Sequence, residues 1–179
     1  MSGDEWPPTL TLNWQAQQAI YRDLRQRSQI EACGVLLGEY DCDGAAHWWN
    51  IEEVVPLANI ANSAVFFEFD PAELLALEMQ YPGRIVGVYH SHPTGYARAS
   101  STDRQNMYSV NQEQQIPWCW LIICGPFDVA FEQQIMQGDV PGQRMIAYHH
   151  YSEQSHTAYR GLVRLAVQLV EYPEAHQTG

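Results

Sequence analysis

The run Ile116 to Cys124, IPWCWLIIC, is apolar almost without a break. It falls far short of the ~18 apolar residues of a membrane span, and polar and apolar positions do not alternate along it. Such a run fits a strand at the centre of a sheet, covered on both faces. Covering layers are then needed on each side, which restricts the chain to a layered fold of the mixed α/β (α+β) class.

The remaining punctuation supplies those layers. Thr9 to Leu12 predicts a short strand, and Asn13 caps a helix to about Gln26 in which Ala16, Ile20 and Leu24 share one face. Ile30 to Gly38 reads as a buried strand, Asp41 to Gly44 as a turn, and Ala46 to Val55 as a second strand that Pro56 ends. Phe66 to Phe69 suggests another short strand. Asp70-Pro71-Ala72-Glu73 is a helix start, with Asp70 at N-cap, Pro71 at N1 and Glu73 at N3. Arg84 to His90 reads as a strand and Ser100 to about Val110 as a helix. Phe127 to Gln134 and Arg144 to Tyr151 read as strands, with a loop over Gly138 to Gly142. Residues 157–171 carry an amphipathic helical pattern through Leu162, Leu165, Ala166, Leu169 and Val170, which Pro173 ends.

These signals predict one domain over 9–151. A loose leader over 1–8 precedes it, and a helical extension over 152–179, packed on the same domain, follows it. At 179 residues and 46% hydrophobic content, the chain can bury a sizeable core. A net charge of -12 argues against nucleic-acid binding, which depends on Lys and Arg at phosphates. No run is long enough to span a membrane. The opening MSGDEWPPTLTL has neither the basic nor the apolar region of a secretory leader, so a cytoplasmic protein with reduced thiols is expected.

The chemistry concentrates where the Arg84–His90 strand ends. Side chains two apart on a strand point the same way, so His90 and His92 can aim at one point before Pro93 stops the ladder. Asp103, eleven residues after His92, sits in the first turn of a helix that Ser100 caps. Two imidazoles and one carboxylate leave a fourth position open, which suits a catalytic zinc better than a structural one. Taken singly, H-x-H is an ordinary pair of histidines and Ser100-x-x-Asp103 an ordinary capping box; it is their combination that points to a metal. Glu31, at the mouth of a buried strand, is the candidate base, although spacing alone cannot link it to His90, 59 residues away. Cys33, Cys119 and Cys124 read as core. His149 and His150 point to opposite faces of a strand and read as structural or surface residues.

The run His90-Ser91-His92-Pro93, six residues, then Ser100-Ser101-Thr102-Asp103, resembles the signature of the JAMM (MPN+) metalloproteases. Glu31-Ala32-Cys33-Gly34-Val35-Leu36-Leu37-Gly38 is similar to that family's glutamate segment. The spacing Asn59 to Pro71, with Phe67, Phe69 and Asp70, resembles bacterial members. The resemblance spans roughly residues 9–150 and implies a curved mixed β-sheet flanked by helices. It further implies zinc on His90, His92 and Asp103, Glu31 as general acid/base, and Ser100 helping to hold the oxyanion.

The expected function is therefore a zinc-dependent isopeptidase or peptidase acting after the C-terminal tail of a ubiquitin-like protein, with the tail lying along a sheet edge. Tyr96 and Arg98, between the ligands, are candidates to touch substrate. The alternatives are release of cysteine or a similar residue from a ubiquitin-fold sulfur-carrier protein, and a non-catalytic MPN scaffold. All nine basic residues are arginine. This reads as compositional bias, or else as the avoidance of lysine acceptors beside a conjugation machinery.

Overall fold

A computed structural model describes residues 6–44, 46–137 and 144–171. Among these, seven strands form one closed barrel in the order β1-β3-β2-β4-β5-β6-β7. The strands are β1 (Thr9–Leu12), β2 (Cys33–Asp43), β3 (Ala46–Leu57), β4 (Ile85–His92), β5 (Cys119–Cys124), β6 (Met145–Tyr151) and β7 (Gly161–Leu169). The sheet is mixed. β4 and β5 run parallel, β1 runs parallel to both β3 and β7, and the other neighbours are antiparallel. The helices among the described residues are α1 (Trp14–Gln26), α2 (Pro71–Gln80), α3 (Ser101–Tyr108) and α4 (Val129–Met136), and a π-helical turn, Ser109–Glu113, continues α3.

β5 is doubly covered, as its composition requires. Cys119, Leu121 and Ile123 join one core with Leu10, Ile20 and Leu24, while Trp120, Ile122 and Cys124 join a second with Leu77 and Met107. α1 therefore seals one face, and α2 and α3 seal the other. Complete burial of each such aliphatic side chain contributes ~1.5–3 kcal/mol. The expected caps are present. The Asn13 side chain accepts from the Ala16 amide, and that of Asp70 from the Ala72 amide.

Several segments differ from the sequence reading. Residues 157–171 do not form the amphipathic helix expected of a C-terminal helical extension; β7 occupies this segment, between β6 and β1. Leu165, Val167 and Leu169 face the first core and Leu162 the second, a period of two that the same leucines disguise as a helical one. The segment is thus a wall of the barrel, and 172–179, including Pro173, lies outside the described residues. Phe127 to Gln134 is not a strand either. Asp128 caps α4 by accepting from the Phe131 amide, and Phe127, Phe131 and Ile135 recur every fourth residue against the first core.

Residues 66–69 are irregular, and β3 runs through Pro56 to Leu57. Pro56 pairs with Gly34 of β2 and lies beyond Ile51, the last β3 residue that β1 covers. β2 continues to Asp43, leaving Gly44 at positive φ in the turn. The loop expected at Gly138 to Gly142 and most of the leader (1–5) lie outside the described residues.

Candidate metal centre

β4 delivers two imidazoles to one point. His90 Nε2 and His92 Nε2 lie 3.1 Å apart, and the Asp103 carboxylate reaches both, with Oδ1 3.2 Å from His90 Nε2 and Oδ2 3.3 Å from His92 Nε2. All three residues are buried. Their spacing matches a tetrahedral metal: donor atoms ~2.0–2.1 Å from a common zinc lie ~3.3–3.4 Å from one another. Two imidazole nitrogens and one carboxylate oxygen also form a donor set that zinc accepts. A carboxylate and two ring nitrogens this close can share one proton or hold one metal ion.

Local structure fixes each donor. The Ser100 and Asp103 pair forms a full capping box: the Asp103 amide donates to Ser100 Oγ at 3.1 Å, and the Ser100 amide donates to Asp103 Oδ2 at 2.7 Å. The cap sets the carboxylate's orientation and leaves its other lone pairs to the histidines. His92 Nδ1 donates to the Tyr96 carbonyl at 2.7 Å, so in the neutral ring Nε2 carries the lone pair that a metal would take. The His92 carbonyl in turn accepts from the amides of Gly95 and Gly125. Gly95 has φ +84, and a Cβ on Gly125 would meet the Pro93 carbonyl at 2.7 Å, so both positions need glycine. His90 stacks on Phe67, with centroids 4.6 Å apart.

Glu31 joins this group from just before β2. Its Oε1 lies 4.0 Å from His92 Nε2, and its Oε2 is buried with no partner. Cys33 pairs with His90, which brings Glu31 beside the end of β4. Two contacts that the sequence did not reveal hold it there. Ser91, facing away from the ligands, accepts from the Ala32 amide through Oγ, and its own amide donates to the Ala32 carbonyl. Asn59 donates to the Glu31 carbonyl. Ser91 stood in the motif and Asn59 in the following stretch, but neither role can be assigned without the tertiary contacts.

The electrostatics divide the group. Burial, helped by the Asp103 charge and opposed by His92, raises the Glu31 carboxyl to about 7. Burial alone would also raise Asp103, but hydrogen bonds from His90, His92 and Ser100 outweigh it and hold that carboxyl well below the usual range. Burial lowers His90 despite Asp103. For His92, burial is outweighed by its bonds to Asp103 and the Tyr96 carbonyl, and its pKa rises. Two buried carboxyls are thus pushed apart, one toward a proton-transfer group and one toward a permanent anion.

Tyr96 is half-exposed beside His92. Its hydroxyl accepts from Arg98 Nε, and the guanidinium lies 5.3 Å from its ring centroid. A groove of about 370 Å³ between α2 and α3, lined by Phe67, Leu74, Val110, Trp118 and Trp120, starts at the ring that stacks on His90. It shares Leu74 and Trp118 with an apolar cavity of about 490 Å³ reaching Leu75 and Ile85.

The family described as prokaryotic homologs of the JAB domain matches residues 14–136. The chain is similar to a protein from Desulfitobacterium hafniense solved in solution, with 25% identity, a TM-score of 0.59, and coverage of 93% of this chain and 97% of that one. A structure described as JAMM, a metalloprotease-like zinc site in the proteasome and signalosome, shares 15% identity at TM-score 0.48, covering 91% of this chain and 99% of its own. A JAB1/MPN domain protein from Archaeoglobus fulgidus shares 15% identity at TM-score 0.48, covering 90% and 98%. Among curated proteins none matches.

Proposed function

We propose, from the premise that this chain belongs to the prokaryotic homologs of the JAB domain, that it is a zinc-dependent peptidase or isopeptidase cleaving after the C-terminal tail of a ubiquitin-like protein. The observation that carries this reading is the convergence of His90, His92 and Asp103 at tetrahedral spacing, with Glu31 beside them and its Oε2 unpartnered.

His90, His92 and Asp103 would hold the zinc. Zinc supplies Lewis-acid polarisation of the scissile carbonyl and makes water acidic enough to attack near neutral pH. Glu31 takes the proton from the attacking water and returns it to the leaving amine, a task suited to a carboxyl raised to about 7. The Ser100 hydroxyl accepts from the Asp103 amide, so its own hydrogen is free to donate to the developing oxyanion. In the site region β4 is paired on both sides, so the tail would not add to β4 itself. The groove that starts at Phe67 is the proposed path for an extended apolar segment, with Tyr96 and Arg98 at the opening.

The test is incubation of the zinc-loaded protein with a ubiquitin-type isopeptide conjugate, a linear tail fusion and a sulfur-carrier–cysteine adduct. Cleavage of the first or second, lost in Glu31→Gln, supports the proposal. Cleavage of the adduct alone moves the substrate to the sulfur carrier. Absence of bound zinc together with no Glu31-dependent cleavage of any probe identifies a scaffold.

A further inference from the structure

We propose, on the reading that His90, His92 and Asp103 hold zinc, that Phe67 is a positioning residue of that centre: its ring does for His90 what a hydrogen bond does for His92. A histidine that ligates a metal through one ring nitrogen is commonly aimed by what the other nitrogen bonds. His92 follows that rule through the Tyr96 carbonyl. His90 does not. Its ring is 1% exposed, and its Nδ1 is buried with no hydrogen-bond partner among the described residues. The torsion that turns an imidazole about its Cβ–Cγ bond has broad preferences and does not set the ring plane by itself. Packing sets it instead.

The Phe67 ring lies within 28° of parallel to the His90 ring, with centroids 4.6 Å apart, while the His92 ring stands at 60° and 5.0 Å. Turning His90 about its Cβ–Cγ bond drives one edge of the imidazole into the Phe67 face. Phe67 is itself held. On one side of it the Phe66 carbonyl accepts from Asn59 Nδ2 at 3.1 Å. On the other the Glu68 amide donates to Asn59 Oδ1 at 3.2 Å, and the Glu68 carbonyl accepts from the Ile60 amide at 3.0 Å. The Phe69 ring, packed against the second core, stands 5.2 Å from that of Phe67. An irregular segment, 59–69, thus presents a fixed aromatic face to a metal ligand.

The stack also favours the loaded site. A bound cation draws electron density out of the imidazole, and an electron-poor ring gains from an aromatic face. An aliphatic side chain of similar volume fills the space but supplies neither the plane nor the attraction.

The test measures the zinc affinity of the full chain by competition with a chromogenic chelator. It is paired with the visible d–d spectrum of the cobalt-substituted protein and with urea unfolding of the metal-free protein. Phe67→Leu and Phe67→Met keep apolar bulk and lose the flat face. They weaken zinc binding about tenfold or more, the scale on which changes behind a ligand act on metal affinity, and they shift the cobalt bands. Phe67→Tyr keeps the face, so it binds zinc within about twofold of the wild type and shows the wild-type bands. The proposal is overturned if Phe67→Leu binds zinc as the wild type does, or if Phe67→Tyr binds it as weakly as Phe67→Leu. It is equally overturned if unfolding of the metal-free Phe67→Leu protein accounts for the affinity lost. Phe67→Met decides the matter if Phe67→Leu fails to fold. A wild type that takes up no zinc overturns the zinc reading as well, whereas equal binding by wild type and variants overturns the role of Phe67 alone.

Discussion

The side-chain amide of Asn59 donates to the backbone carbonyl of Glu31 at 3.0 Å, and its Oδ1 accepts from the amides of Ala61 and Glu68. One buried side chain thus ties the proposed base to the loop that carries Phe67. Asn59→Ala is expected to cost about 1–3 kcal/mol in urea unfolding and to lower kcat more than it raises KM. Asn59→Asp keeps the acceptor and loses the donors, so it should retain the loop contacts while Glu31 loses its anchor. A loss of stability with no change in kcat would deny Asn59 its positioning role.

Zinc should stabilise the folded chain by mass action. At a free zinc concentration 100 times Kd the gain is about 2.7 kcal/mol. It is read as a rise in Tm that a chelator reverses. His92→Ala and Asp103→Asn should abolish the shift. Glu31→Gln should keep it, because Glu31 is not a proposed ligand. An equal shift in all four proteins would place zinc elsewhere.

His149 makes stability depend on pH. Burial lowers its pKa to about 4 in the folded state, against an ordinary value of 6.5. As pH falls below 6.5, the unfolded chain takes up a proton that the folded chain refuses until about pH 4, and stability is lost across that window. Between pH 7 and pH 5 this one residue should cost about 2 kcal/mol. His149→Gln, which cannot titrate, should flatten the unfolding free energy over that interval by a similar amount. Parallel pH profiles for the two proteins would contradict the assignment.

A charged knot fastens α1 to the sheet. Asp23 accepts from Arg27 Nε and Nη2 at 2.7 Å and 2.6 Å and from the Tyr89 hydroxyl at 2.6 Å, while Arg27 also donates to the Leu57 and Cys33 carbonyls. Removing one partner strands a buried charge. Arg27→Met should therefore cost about 3–5 kcal/mol, and adding Asp23→Leu should recover part of that loss, as measured by denaturant midpoints. If the double variant is the less stable, the knot contributes more than its desolvation costs.

Local signals were legible in the sequence and long-range ones were not. Asp70-Pro71-Ala72-Glu73 and Ser100-x-x-Asp103 each specify a helix start within four residues, and both starts are where the sequence put them. His90 and His92 converge because strand geometry alone demands it. β7 was misread because Leu162, Leu165 and Leu169 fit a helix as well as a strand. What decides is hydrogen bonding to β1 and β6, which no window of residues contains. α4 was missed although Asp128 and the spacing of Phe127, Phe131 and Ile135 were in view, because the segment is as short as a strand.

The proximity of Glu31 to His92 came from family resemblance, since it depends on the antiparallel register of β2 and β4. Alternation placed His149 and His150 on opposite faces. That the Tyr151 hydroxyl is buried without a partner could be learned only from the packed chain.

The ring of strands also has a schedule. β1, at residues 9–12, pairs with 166–169 of β7, about 150 residues later. At ~5–20 residues per second, roughly 8–30 s of synthesis separates the two partners. During that interval β1 can dock on β3, yet its other edge, and that of β6, stays open to any strand that comes near. The hydrogen bonds that finally abolish both edges therefore wait on the synthesis of residues 161–169. Until then its solubility rests on the charges it carries and on the chaperones that meet it.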